Sequence, residues 1–116
     1  AERMFTEFPI NDAEYFLVYS EFLLKKGSFE QARINAEKAM QKPARRMDPA
    51  EVRSHCFYLK AKALSESYNK NPDSLKAQKA MEAWFDVKFQ SRSNVNSPFY
   101  IDADKEIRRI SSQIQH

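Results

Sequence analysis

The stretch GSFEQARINAEKAM, from Gly27 to Met40, decides the fold around which the chain is organised. Ser28 followed three residues later by Gln31 is a capping box, which predicts that a helix begins here. One face of this helix carries mostly small residues at spacings of three and four: Phe29, Ala32, Ala36 and Ala39. Because that face is mostly alanine, the helix is predicted to lie close against its neighbour.

The neighbour is the stretch directly upstream, residues 13–26, which has its own helical pattern. Its predicted buried face consists of Phe16, Tyr19, Ser20 and Leu23. Gly27 follows its last residue, and glycine adopts the left-handed C-cap conformation at least cost. We therefore expect two antiparallel helices joined by a very short turn.

This hairpin resembles one tetratricopeptide repeat, a helical hairpin with a period of 34 residues. The matching positions are Ala13-Glu14-Tyr15-Phe16, Tyr19, Ser20, Leu23, Gly27-Ser28-Phe29, Ala32, Ala36 and Ala39. Phe16 stands where the family has tryptophan, and Ala36 replaces an aromatic residue. The resemblance implies an all-α fold of antiparallel hairpins stacked as a short right-handed superhelix. An ordinary hairpin of a helical bundle is the alternative, since its packing would look much the same.

The remaining chain divides into similar units within one domain, residues 1–116. We expect a hairpin over 12–42, an irregular hairpin over 49–90 and a C-terminal capping helix over 98–115. Asp48-Pro49, Asp73 and Ser97-Pro98 are the helix-start signals for these units. Ala32 and Ala77 lie 45 residues apart (77 − 32), so the array is irregular. Residues 1–8 are interpreted as the end of an incoming helix.

The second hairpin has one large residue in an unexpected place. Its first helix should bury Phe57, Ala61, Leu64 and Tyr68. In its second helix Trp84 stands where the family prefers alanine, which predicts a more open hairpin.

A second, narrower resemblance involves Asn96-Ser97-Pro98-Phe99-Tyr100, followed by Asp102-Ala103 and Ile107. The phrase resembles one found in bacterial envelope scaffold proteins with tetratricopeptide repeats, such as the β-barrel assembly lipoprotein. It implies a docking scaffold in an envelope assembly. Asn94-Val95 departs from the usual phrase, and both the cytoplasm and the bacterial periplasm or envelope remain open as compartments.

Composition and motifs argue against catalysis. With one glycine the chain holds no phosphate-binding loop, and its two histidines lack a second ligand at metal spacing. Cys56 lies in a helical apolar pattern and is interpreted as a buried small residue. No apolar run approaches the roughly 18 residues that a membrane span needs. We expect no enzyme activity, no cofactor, no metal and no membrane span.

Basic residues suggest one alternative function. Lys25-Lys26, Arg45-Arg46 and Arg108-Arg109 are basic pairs, and helical repeats can bind RNA. However, acids lie close to each pair, and the net charge is only +3. Nucleic acid is therefore the less favoured partner, and a purely structural or homo-oligomerising module is the third hypothesis.

Protein binding is the function that the resemblance implies, because such arrays use a concave surface lined by the first helix of each hairpin. The residues carried over as partner-binding are Leu17, Glu21, Leu24, Lys25, Tyr58 and Lys62, alongside Glu14, His55, Ser65 and Glu66. They would hold a helix or an extended segment of another protein. The family's clamp for C-terminal peptides is not expected, since Leu17 and Glu21 occupy its Lys and Asn positions. Alternatively, Met4, Phe5 and Phe8 of the same chain cover the apolar part of this surface.

Overall fold

The computed structural model describes residues 12–114, and over that range the chain consists of helices without strands. The helices are α1 Ala13–Lys26, α2 Phe29–Met40, α3 Pro49–Lys70, α4 Ser74–Gln90 and α5 Pro98–Ile114. The predicted all-α class is confirmed. The predicted incoming helix over 1–8 lies outside the described residues.

The α1–α2 hairpin turns at the predicted glycine. Gly27 has φ +89°, and its amide and that of Ser28 donate to the carbonyls of Leu24 and Leu23 at 3.1 and 2.9 Å. Ser28 is the N-cap residue of α2, but its side chain makes no capping hydrogen bond. The capping-box pattern therefore located the helix start, whereas its predicted hydrogen bond is not formed.

Small residues let α1 and α2 approach closely. Ala32 and Ala36 are fully buried, and the Ser20 hydroxyl donates to the Ala32 carbonyl across the seam at 2.8 Å. The predicted buried face of α1 needs a correction, since Leu17 is buried while Phe16 and Tyr19 are only partly buried.

The loop between the hairpins is held by Glu14 of α1. Its carboxylate accepts hydrogen bonds from the amides of Arg45 at 2.9 Å, Met47 at 2.8 Å and Arg46. Asp12 caps α1 and accepts a hydrogen bond from the Tyr15 amide at 2.9 Å. Glu14 was predicted to face a partner and is instead used within the fold.

Helix α3 is buried on two sides because it packs against α2 on one side and α4 on the other. We call the core of α1, α2 and α3 the N-terminal cluster: Ala13, Leu17, Ala36, Ala39, Val52, Cys56 and Leu59. The core of α3, α4 and α5 is the C-terminal cluster: Ala61, Tyr68, Ala77, Ala80, Ala83, Trp84, Val87, Ala103 and Ile110. The sequence predicted only the face of α3 that packs into the C-terminal cluster and missed the face that packs into the N-terminal cluster.

Helix α5 covers the second hairpin as predicted for a capping helix. Ala103 and Ile110 are fully buried there, and Trp84 is buried at 1% exposure. The helices form two layers, with α1, α3 and α5 in one layer and α2 and α4 in the other. Within residues 12–114, no helix has the length and apolarity to cross a membrane.

Candidate binding surface

A cleft between α3 and α5 lies on the layer that was predicted to bind partners. Its volume is about 280 Å³. It is lined by one residue of α3, one of α4 and four of α5: Lys62, Trp84, Asp102, Lys105, Glu106 and Arg109.

At one end, Tyr58 of α3 is fixed to α5. Its hydroxyl donates to Asp102 at 2.8 Å, and its ring lies 4.7 Å from that of Phe99 and 5.7 Å from that of Trp84. Burial, reinforced by the Asp102 carboxylate, raises the pKa of Tyr58 to about 12. The phenol therefore stays neutral and remains a donor at physiological pH.

A second polar link crosses the same seam one turn of α5 further on. Glu106 accepts from the Arg109 Nε at 2.6 Å and from the Ser65 hydroxyl of α3 at 3.3 Å. Burial alone would raise the pKa of Glu106, but the hydrogen bonds and charge of Arg109 outweigh it and lower that pKa. The Glu106 carboxylate is therefore ionised and already engaged.

The charge lining the cleft is positive. Three cationic side chains and two carboxylates leave a net charge of +1 (3 − 2). Lys62 is half-buried at its rim and Lys105 is exposed. Both carboxylates accept hydrogen bonds within the protein, Asp102 from Tyr58 and Glu106 from Arg109, and the charge of Lys62 acts on Glu106.

The six predicted partner-binding residues do not form one continuous patch. Leu17 is buried at 4% exposure in the N-terminal cluster, so its assignment to a binding groove is corrected. Leu24 is half-buried and packs against the N-terminal cluster. Lys62 lines the cleft, and Tyr58, one turn before it on α3, donates to the cleft residue Asp102.

The other two predicted residues lie on α1. Glu21 and Lys25 are exposed and one turn apart. Leu24 from α1 and Tyr58 from α3 both pack against the N-terminal cluster.

The residues of α5 and α4 that line the cleft were missed. Asp102 and Glu106 were not among the predicted binding residues, although both accept hydrogen bonds from α3. The available signal was their spacing of four, which places them on one face of α5. Trp84 in an alanine position was the other signal.

Another concave feature of the described residues is a groove of about 380 Å³ between α2 and α4, which is lined by charged side chains. Several of these charges are paired: Arg33 bonds Glu30 and Glu37, and Lys60 bonds Glu37 at 3.3 Å. Burial raises the pKa of Cys56 to about 12, so its thiol is protonated at neutral pH. Residues 12–114 contain no group of three potential metal ligands.

The chain matches no known protein family, no curated protein and no solved structure. The tetratricopeptide resemblance therefore rests on the residues and helix packing of this chain alone.

Proposed function

We propose that this chain is a non-catalytic protein–protein interaction scaffold of the tetratricopeptide type, with its hairpins stacked in a right-handed superhelix. The observation that supports the proposal is the layer formed by α1, α3 and α5. Charged side chains of this layer stay outside the core, and the α3–α5 cleft lies beside them. A partner helix or extended segment would lie along this layer. The second resemblance favours a partner in a bacterial envelope assembly.

The proposed contact surface keeps the predicted partner-binding residues except Leu17, which is buried. It consists of Glu21, Leu24, Lys25, Tyr58 and Lys62, extended by Lys105 of α5. Half-buried Leu24 and Tyr58 would supply apolar contact, and the exposed charges would orient the partner.

RNA binding is not favoured, because several of the basic side chains that suggested it are engaged with acids. Arg108 bonds Asp104 at 3.1 Å, Arg45 lies 3.7 Å from Asp12, and Arg109 bonds Glu106. These pairs reduce the charge available to phosphate groups.

The test is affinity capture from a native lysate with Lys25→Glu/Lys62→Glu. The matched control is Lys38→Glu/Lys79→Glu, which makes the same charge change on α2 and α4. Circular dichroism verifies that both variants keep their helicity. We expect that a protein captured by the native chain and by the control variant is not captured by Lys25→Glu/Lys62→Glu.

Equal capture by both variants would contradict the proposed surface. Absorbance at 260 nm in the eluate, removed by raising salt from low to moderate concentration, would instead support the RNA hypothesis.

A further inference from the structure

One face of α4 is exposed although it carries large apolar residues. Leu75, Phe85 and Phe89 are exposed at 59%, 51% and 58%. Together with Gln78 and Glu82 they recur at spacings of three and four, so these five residues form one row along the helix, which we call the α4 stripe. The stripe lies opposite the buried face of α4, against which α3 and α5 pack. A row of exposed apolar side chains on one helix face indicates an interaction surface.

Charged residues of alternating sign accompany the α4 stripe. Asp73 is the N-cap residue of α4, Lys79 and Asp86 lie beside the stripe, and Arg92 follows the end of the helix. All four side chains are exposed. None of them forms an ion pair within residues 12–114, although the Lys79 charge acts on Glu30.

The order of these charges fits a second copy of α4 that runs in the opposite direction. Asp73 lies six residues before Lys79, and Arg92 lies six residues after Asp86. An antiparallel pair of α4 helices that places Lys79 opposite Asp86 of the second copy therefore also places Asp73 opposite Arg92 of that copy. Because the contact has two-fold symmetry, each of these ion pairs forms twice.

The same register brings apolar residues together. Leu75 comes within one residue of lying opposite Phe89 of the second copy, and the two Phe85 side chains lie on either side of the two-fold axis. Glu82 is the unfavourable position, because its carboxylate approaches that of the second copy at the axis. Gln78 donates to this carboxylate at 3.3 Å.

We propose that the chain self-associates as an antiparallel, two-fold symmetric dimer through the α4 stripe. The apolar residues supply the contact, and the order of charges fixes the direction of the second copy. One pair of helices belongs to the class of small, transient interfaces, so the dimer dissociates with a Kd on the order of 100 μM. This inference does not rest on the proposed function, because α4 lies in the other layer of helices.

Sedimentation equilibrium of the full chain at low salt, from about 10 μM to about 1 mM protein, tests the proposal. We expect the average mass to rise from 13.6 kDa towards twice that value. Phe85→Gln/Phe89→Gln should weaken the association roughly tenfold or more, since it removes the apolar contact. Ile101→Gln/Ile114→Gln, which changes two residues of α5 that are exposed at 53% and 51%, is the matched control and should associate like the native chain. Circular dichroism verifies the helicity of both variants.

Charge reversal tests the antiparallel direction. Lys79→Glu and Asp86→Lys each place like charges opposite each other at two points of the dimer, so each variant alone should associate roughly fivefold more weakly. An equimolar mixture of the two variants restores opposite charges at both points and should associate like the native chain. Glu82→Gln should strengthen the dimer, because it removes the repulsion at the axis.

Three results would overturn the inference. The native chain keeps the monomer mass up to about 1 mM protein. Phe85→Gln/Phe89→Gln associates as strongly as the native chain, which would place the contact on another face. The mixture of Lys79→Glu and Asp86→Lys associates no more strongly than either variant alone, which would exclude the antiparallel register.

Failure here is distinguishable from failure of the proposed function. Lys25→Glu/Lys62→Glu should lose the captured protein and keep self-association, whereas Lys38→Glu/Lys79→Glu should keep the captured protein and lose self-association. If the native chain stays monomeric while this pattern of capture holds, the scaffold stands and the dimer is wrong.

Discussion

At the scale of single residues, Glu14 shows how one carboxylate organises a loop. It accepts backbone hydrogen bonds from Arg45, Met47 and Arg46, and these lower the pKa of Glu14 from 4.5 to about 2. The loop that separates the two hairpins is longer than a regular repeat allows. This carboxylate is what ties it to α1.

Glu14→Gln should remove an acid-sensitive contribution to stability. A folded-state pKa below the ordinary value stabilises the protein above about pH 4.5, and this contribution disappears as the pH falls to about 2. Urea unfolding across this range should show a smaller pH dependence in the variant than in the native chain. Glu21→Gln, at an exposed position of α1, is the control, and an identical pH dependence in all three proteins would contradict this role of Glu14.

Tyr58 links α3 to α5 through a hydrogen bond to the side chain of Asp102. Tyr58→Phe should lower the free energy of unfolding by about 1.5 kcal/mol at neutral pH, because it leaves that carboxylate without its donor. The raised pKa adds a second signature: the stabilisation is complete below pH 10 and is lost as the pH rises to about 12.

Chemical denaturation at neutral pH and between pH 10 and 12 measures both effects. Tyr100→Phe, which keeps the ring under the Lys88 ammonium group, is the matched control. Equal stability losses in the two variants would mean that the Asp102 hydrogen bond is not what matters at Tyr58.

At the scale of helices, the seam between α1 and α2 depends on alanine. Ala32 and Ala36 are fully buried, and Ser20 donates across the seam to the backbone of Ala32. Larger side chains there would separate the two helices.

Ala36→Leu should therefore destabilise the chain by about 1–3 kcal/mol or more through overpacking. Lys38→Leu, the same new side chain on an exposed position of α2, should change stability little. Thermal unfolding followed by circular dichroism compares them. If Ala36→Leu melted at the same temperature as the native chain, the seam would have space for a larger side chain and would not be closely packed.

At the scale of the whole molecule, α3 joins two cores. Its Val52, Cys56 and Leu59 belong to the N-terminal cluster, while Ala61 and Tyr68 belong to the C-terminal cluster. A helix shared in this way should make the two hairpins unfold together, although stacked repeats interact only with their neighbours.

Val52→Ala tests this coupling, since it removes two methyl groups from the N-terminal cluster only. We expect a loss of about 2 kcal/mol, and an equal shift of the transition reported by Trp84 fluorescence in the other cluster. Val95→Ala, at 56% exposure, is the control. A Trp84 transition that stays unchanged while the helical signal shifts would show independent unfolding.

The sequence by itself determined the helices and their order. Gly27, Asp48-Pro49, Asp73 and Ser97-Pro98 mark their boundaries correctly, and Asp73 accepts from the Lys76 amide at 2.8 Å as a cap should. These signals are reliable because capping and backbone sterics act within a few residues.

Only the tertiary structure decided which side chains are buried and which meet at a site. Leu17 lies in the core because α3 packs on α1, and α3 is buried on two sides because it has neighbours on both. The site joins residues far apart in the chain, since Tyr58 donates to the cleft residue Asp102, 44 residues further on. Helical periodicity reports the direction of a side chain within its own helix, whereas burial and pairing depend on which helices pack against that side.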